Sequence, residues 1–319
     1  MPPVLPLYLI PLLPQIHKIA GFFPAVLQTV MNDAVEVPVR QAAAIYLKNA
    51  VMRDWEAKEV PAGQPLEFSL HEQDKAVIRD SVIDAVVLAP DNLRVHLGVC
   101  VNYIVKYDFP GRWTGIVDKV SAYLQMPDRA VWPGSLFALY QLVKIFEYKA
   151  EADRAPADDA MSLLLPLLRA RLVELLADES EQSLLIQKQI LKIFYAFIQY
   201  HLPQKLVTKE VFLSWMEALK QVVERDVPAR VHQVDEDDRP FDPAWKCKKW
   251  ALHVLARVFE RYGSPASVAK EFKPFADWYI KTFSLGIITA LLKILDQYGH
   301  SQYVAPRVLQ QTLNYITAA

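Results

Sequence analysis

The side chains able to do chemistry in this sequence are scattered rather than gathered. None of its seven His stands four residues from another His, and the one His–Cys pair at that spacing, His96 and Cys100, has no further His or Cys near it to complete a metal site. Lys249, His253 and Arg257 share one helical stripe and read as a solvated basic ridge. Cys100 and Cys247 lie far apart and outside any C-x-x-C pair, so they predict two reduced thiols rather than a disulfide or a zinc site. The run Asp235-Glu236-Asp237-Asp238 could attract a cation or a basic partner, but it lacks the Gly and the register of an EF-hand. It reads as a solvated inter-helix loop. Lys246, Lys248 and Lys249 beside Trp245 and Trp250 have the composition of a nucleic-acid stacking surface, yet they fall in one helix whose aromatics serve the core. The phosphate-loop, dinucleotide, nucleophile-elbow and H-E-x-x-H patterns are all missing from the sequence. The expectation is therefore no catalytic residue, no metal, no cofactor and no enzyme.

What the sequence does carry is helical periodicity. Ile186, Ile190, Ile193, Phe194 and Phe197 fall on one face of a helix, as do Ala251, Leu255, Val258, Phe259 and Tyr262. Leu184, Leu191, Tyr195 and Ile198 widen the first face, as when neighbours pack on two sides. Period-2 alternation is not seen, so no sheet is expected. Breaks such as Val37-Pro38, Ala89-Pro90-Asp91, Phe109-Pro110-Gly111 and Tyr262-Gly263-Ser264-Pro265 punctuate the helices. Long helices are predicted to start near 37, 71, 92, 113, 133, 156, 181, 208, 243 and 268. Alternate starts are spaced near the roughly 40–47 residues of HEAT and armadillo units. The fold class is all-α, a HEAT-repeat solenoid of about six to seven helix pairs without an internal domain boundary.

Composition agrees. With 53% hydrophobic residues there is ample core, and only 9 Gly argues against folds built on many tight turns. Thirty-five Lys and Arg against 36 Asp and Glu leave no overall basic footprint for nucleic acid or an acidic membrane. Residues 1–16 form an apolar lead-in broken by Pro2, Pro3, Pro6, Pro11 and Pro14, unlike a signal peptide or a membrane span. At the other end, Val308, Leu309, Leu313 and Ile316 are expected to form an uncovered apolar face.

Five stretches in order, residues 37–55, 92–113, 184–203, 245–265 and 291–316, resemble the importin-β (karyopherin-β) superfamily, within its importin-7 and importin-8 branch. Arg40, Leu47, Lys48 and Asn49 look like the first-helix motif of its amino-terminal region. Asp108-Phe109-Pro110 followed by Trp113 looks like its D-F-P-x-x-W break. The resemblance runs from about residue 17 to the end. It implies an amino-terminal third of an importin with an altered first repeat, since the family places a helix ahead of His17 and continues past the last residue here.

The resemblance further implies a nuclear transport receptor of the cytoplasm, nucleus and nuclear pores, with Ran in its GTP form, phenylalanine–glycine nucleoporins and protein cargo as partners. Neither direct nucleic-acid binding nor membrane insertion is expected. The Ran-binding region would occupy about 17–125, on inner helices near 21–32, 72–88 and 113–125, with Asp74, Arg79, Asp84, Asp118 and Lys119 as polar contacts. Nucleoporin rings would enter between the helices at 184–200 and 245–262. The second reading is a helical-repeat scaffold without Ran-dependent cargo release.

Overall fold

Proline and small polar side chains set the helix starts. A computed structural model describes residues 13–57, 67–265 and 268–319. In chain order the α-helices are α1 (Leu13–Ile16), α2 (Phe22–Met31), α3 (Val37–Asp54), α4 (Glu72–Leu88), α5 (Asp91–Asp108), α6 (Gly115–Gln125) and α7 (Trp132–Phe146). They continue as α8 (Ala155–Leu175), α9 (Glu181–Ile198), α10 (Lys209–Glu224), α11 (Pro243–Val258), α12 (Lys273–Tyr279), α13 (Leu285–Gly299) and α14 (Pro306–Ala318). Pro38 and Pro243 occupy the first turns of α3 and α11, where the missing N–H costs nothing. Ser180, Thr208 and Asp242 cap α9, α10 and α11 by accepting from backbone N–H groups at 3.3, 3.4 and 2.8 Å. The described residues contain no strand. The all-α helical-repeat class is what the periodicity predicted.

The chain divides into two compact units, Met1–Ile145 and Phe146–Ala319. In the first, α2 packs on α3 and α4, α3 on α5, and α4 on both α5 and α6. Leu47, Val51, Ile78, Val82, Leu97 and Ile104 fill the space between them and are inaccessible to solvent. Gly134 in α7 lets its backbone close on the end of α4, because a Cβ there would lie 2.5 Å from Val87 Cα.

In the second unit α9 packs on α8 and α11, and α11 also packs on α10 and α14. Both predicted apolar faces are buried, and so are Leu184, Leu191, Tyr195 and Ile198, which gives α9 two packed sides. Phe194 and Trp215 stack with centroids 4.0 Å apart. Two turns depart from the α geometry, the π-helical segments Phe259–Gly263 and Ile280–Ser284. Through the second of them α12 and α13 join into one helical stretch, Lys270–Gly299. By length and composition alone that stretch is apolar enough to cross a membrane. One side of it, carrying Phe275, Ala276, Tyr279, Ile287, Leu291 and Ile294, is buried within the unit.

The end of the chain corrects the expectation of a wholly uncovered face. Val308, Thr312 and Tyr315 of α14 are buried, and Tyr315 meets Phe259 with centroids 5.0 Å apart. Leu309 and Ile316 are half-buried, and only Leu313 stays exposed. The sequence pattern overestimated that face because α14 docks on α11, a neighbour other than its adjacent helix. Of the Pro-rich lead-in, residues 1–12 lie outside the described residues.

Candidate functional site

The three inner helices expected at 21–32, 72–88 and 113–125 correspond to α2, α4 and α6. The structure separates the five predicted contact residues into two groups. Asp74 is 3% exposed and its Oδ1 accepts from the Gly21 N–H at 2.7 Å. Gly21 adopts φ +88°, in the left-handed region, just before α2. Asp74 of α4 thus supplies a remote carboxylate to the positive end of α2. Arg79 is also buried, with Nη1 2.7 Å from Asp108 Oδ2 and Nη2 2.5 Å from Glu72 Oε1. Both side chains are committed to internal partners.

The other group reaches the surface. Asp84 Oδ2 pairs with Lys119 Nζ at 2.7 Å, and its Oδ1 accepts from Tyr123 OH at 2.9 Å. Lys119 also donates to the Asp80 carbonyl, and Asp118 is exposed beside it. Burial and the Asp84 carboxylate push the Tyr123 hydroxyl up to about 12, so it stays a donor at any physiological pH. Asp80, Asp84, Lys119 and Tyr123 therefore form one polar face joining α4 to α6, and the exposed Asp118 precedes Lys119 on α6. Sequence reasoning missed Asp80 and Tyr123. Their advance signal was spacing, with Asp80 four residues before Asp84 on α4 and Tyr123 four residues after Lys119 on α6.

The family-motif residues assemble into framework. Arg40 is buried, donates through Nε to the Val30 carbonyl at 2.8 Å and pairs with Asp33 at 2.7 Å, tying the end of α2 to α3. Leu47 lies in the core, Lys48 is half-buried and Asn49 is exposed. Asp108 is the hub of the break after α5. Its fully buried carboxylate receives Arg79, Arg112 at 2.7 Å and the Trp55 indole at 3.2 Å. Its carbonyl accepts the N–H groups of Arg112 and Trp113 at 2.7 and 3.1 Å. The Phe109–Pro110 peptide is cis, and Trp113 is buried.

A second surface lies on α9 and α11, in the other unit. Tyr195 and His253 rings sit 4.2 Å apart, Trp250 is 5.4 Å from both, and Lys249 Nζ stands 4.4 Å above the Trp250 ring. Arg257 and Arg261 both lie 5.7 Å from the Tyr200 ring, which is part exposed. The solvated basic ridge of the sequence reading is therefore a half-buried cation–aromatic cluster. Burial, then Lys249 and Arg257, hold the His253 imidazole down to about 4. The unfolded chain takes up that proton near 6.5, so the stability carried by neutral His253 is lost as pH falls from 6.5 towards 4. Thermal scans at pH 7 and pH 5 should show a larger fall in melting temperature for the unmodified chain than for His253→Gln. Equal falls would exclude His253 as a source.

Cys100 and Cys247 are free and buried, and burial pushes both thiols up to about 12. Among the described residues no group of three His, Cys, Asp or Glu side chains is placed to hold a metal ion.

Residues 12–87 match the Importin-beta N-terminal domain. Over 303 residues, 95% of this chain, the sequence is 50% identical to Importin-8 of Homo sapiens. The chain belongs to the importin-β superfamily. Within that superfamily its similarity is to the importin-8 branch, and it is 30% identical over 92% of its length to the Importin beta-like SAD2 homolog of Arabidopsis thaliana. The chain spans 29% of the human relative and 28% of the plant one. Its fold is similar to that of the exportin Cse1 in its cargo-free, cytoplasmic state, with a TM-score of 0.76 at 17% identity over 97% of this chain and 32% of that one.

Proposed function

We propose that this importin-β superfamily chain works as a nuclear transport receptor, shuttling between cytoplasm and nucleus and binding the GTP form of Ran through the α4–α6 face. The observation that carries the reading is the 50% identity to Importin-8 across 95% of the chain, which includes all of α2 to α6. Its role is recognition rather than catalysis. Beside that face, Asp118 is the free acid of α6, while Asp84, Lys119 and Tyr123 hold one another in place. Nucleoporin phenylalanines would approach the Tyr195, Trp250 and Tyr200 surface of α9 and α11, where weak single contacts become useful through multivalency. Protein cargo is a partner of the complete receptor.

The test is nucleotide-selective binding. Isothermal titration should show Ran-GTP binding more tightly than Ran-GDP. Asp118→Lys should weaken the GTP form by roughly 1 kcal/mol, about fivefold, and leave the melting temperature unchanged. Asp74→Lys is expected to act differently, lowering the melting temperature of the first unit because it removes the acceptor for Gly21. Equal binding of both nucleotide states would turn the assignment towards a helical-repeat scaffold without Ran-dependent release.

A further inference from the structure

Charge is distributed unevenly over the helices of the second unit. Along α11 stand Lys246, Lys248, Lys249 and Arg257 with no acidic residue, and α14 carries Arg307 and no acid. On α9, Lys188 and Lys192 face only Glu181, in the first turn. The whole chain has a formal net charge of −1, so these cations are segregated by position rather than by composition. The helices α11 and α14 lie side by side and run the same way. Trp245 meets Tyr303 at one end, with centroids 5.7 Å apart, and Phe259 meets Tyr315 at the other, 5.0 Å apart. Between them an open crevice of about 360 Å³ is lined by His253 and Arg257 from α11 and by Gln311, Asn314 and Thr317 from α14.

Lys246 and Lys249 are part exposed, and Arg307 is exposed. None of the three meets a carboxylate among the described residues. Lys246 Nζ stands 5.7 Å from the centroid of the Phe241 ring, Lys249 Nζ stands 4.4 Å from that of Trp250, and Arg307 donates to Gln310 Oε1 at 2.8 Å. Burial, then Arg307, Lys246 and Lys188, hold the Lys249 ammonium below its ordinary value. Like charges from three helices thus act on one another, and an incoming negative charge relieves all of them at once. Further along the crevice the one acid, Glu260, is paired with Arg257 at 2.9 Å, and His253 is neutral at physiological pH. The side-chain amides of Gln311 and Asn314 each supply a donor and an acceptor, as an extended main chain requires.

We propose that the α11–α14 crevice binds an acidic protein segment in extended form, its carboxylates on Lys246, Lys249 and Arg307 and its main chain against Gln311 and Asn314. The lengths agree. Lys246 to Arg257 spans about 17 Å of helix, the reach of roughly five extended residues. A nucleic acid fits less well, because base stacking needs an open aromatic face. Trp245 is 6% exposed, and the Trp250 ring is already engaged by Lys249, Tyr195 and His253. The acidic segment is additional to the nucleoporin rings placed at Tyr195 and Tyr200. Those tyrosines stand on the α9 side of α11, and α14 packs on its other side.

The full chain with ¹⁵N-labelled tryptophan gives seven indole N–H resonances, and Trp250→Phe identifies the one beneath Lys249. Titration with acetyl-Asp-Glu-Asp-Leu-Asp-Glu-amide should move that resonance to saturation. The uncharged isostere, with Asn and Gln in place of Asp and Glu, should bind at least about tenfold more weakly. Arg307→Glu should weaken the acidic peptide about fivefold, and Lys246→Glu with Arg307→Glu more than about tenfold. Lys281→Glu makes the same charge change at an exposed position of the Ile280–Ser284 turn and should alter binding by less than about twofold. An oligothymidylate of equal charge should bind more weakly than the peptide. The proposal fails if peptide and isostere bind alike, if the Trp250 resonance stays still, if Lys281→Glu weakens binding as much as Arg307→Glu, or if the oligothymidylate binds more tightly. The peptide–isostere comparison on the unmutated chain decides even where a variant fails to fold.

Discussion

Asp108→Ala should destabilise the first unit by about 3–5 kcal/mol, as expected when one partner of a buried ionic cluster is removed. The substitution leaves Arg79 buried with only the half-exposed Glu72 for compensation, and it removes the acceptor of the Trp55 indole. Arg112 loses less, since it is about half exposed and keeps Glu56 at 2.7 Å. The cost arises from the charge left behind rather than from any large intrinsic strength of the pair. Asp108→Leu combined with Arg79→Met should therefore recover most of the loss, because both desolvated charges leave together. Amide exchange followed by mass spectrometry, peptide by peptide, is the measurement of choice, since two units need not unfold as one. In Asp108→Ala the peptides covering α4 and α5 should lose protection while those covering α9 and α11 keep theirs. A loss below about 1 kcal/mol, or a double variant worse than the single one, would show that the cluster does not act as a unit.

Gly134→Ala should be comparably damaging through sterics alone. Its new Cβ would meet Val87 Cα at 2.5 Å and the carbonyl oxygens of Val86 and Val87 at 2.9 and 3.0 Å. Those are backbone atoms near the end of α4, so no rotamer change relieves the clash and one helix must move. Overpacking of this kind costs about 1–3 kcal/mol and occasionally more, and this site belongs at the upper end. Gly115→Ala is the internal control. Gly115 opens α6 with nothing within 4 Å of its built Cβ, so alanine there should be neutral or stabilising by up to about 1 kcal/mol. Urea midpoints of the two variants should therefore move in opposite directions or differ by most of the expected effect. Similar midpoints would mean that the α7–α4 approach relaxes freely.

Helix starts were the most legible feature of the sequence. Val37, Glu181 and Pro243 open α3, α9 and α11 where their prolines and caps placed them, and most of the others fall within one or two residues. Pro and capping residues act locally, so their message needs no knowledge of the fold. The candidate site was legible only in part. The spacing of Asp74, Arg79 and Asp84 showed polar residues on one helix, and nothing nearby revealed that the first two are consumed by Gly21 and Asp108, 53 and 29 positions away. Asp118 and Lys119 were better placed, because a short amphipathic helix has one wet face. His253 was misread for a related reason. Its stripe looked basic along α11, while the aromatic that half-buries it, Tyr195, comes from α9.

The π-turn at Ile280–Ser284 bears on how this chain can change length through descent. Tyr279 and Ile287, on either side of it, are both buried, eight positions apart. At roughly 100° per residue a regular helix would leave them about 80° out of line, and absorbing one residue reduces that to about 20°. The turn thus holds one amino acid more than the packing requires. A homologue one residue shorter at this point would carry a plain helix and keep the same side chains inside, whereas a one-residue change a turn earlier or later would rotate half the helix off its neighbours. Removing one residue here should then be structurally silent, because the residues on either side keep their inward register.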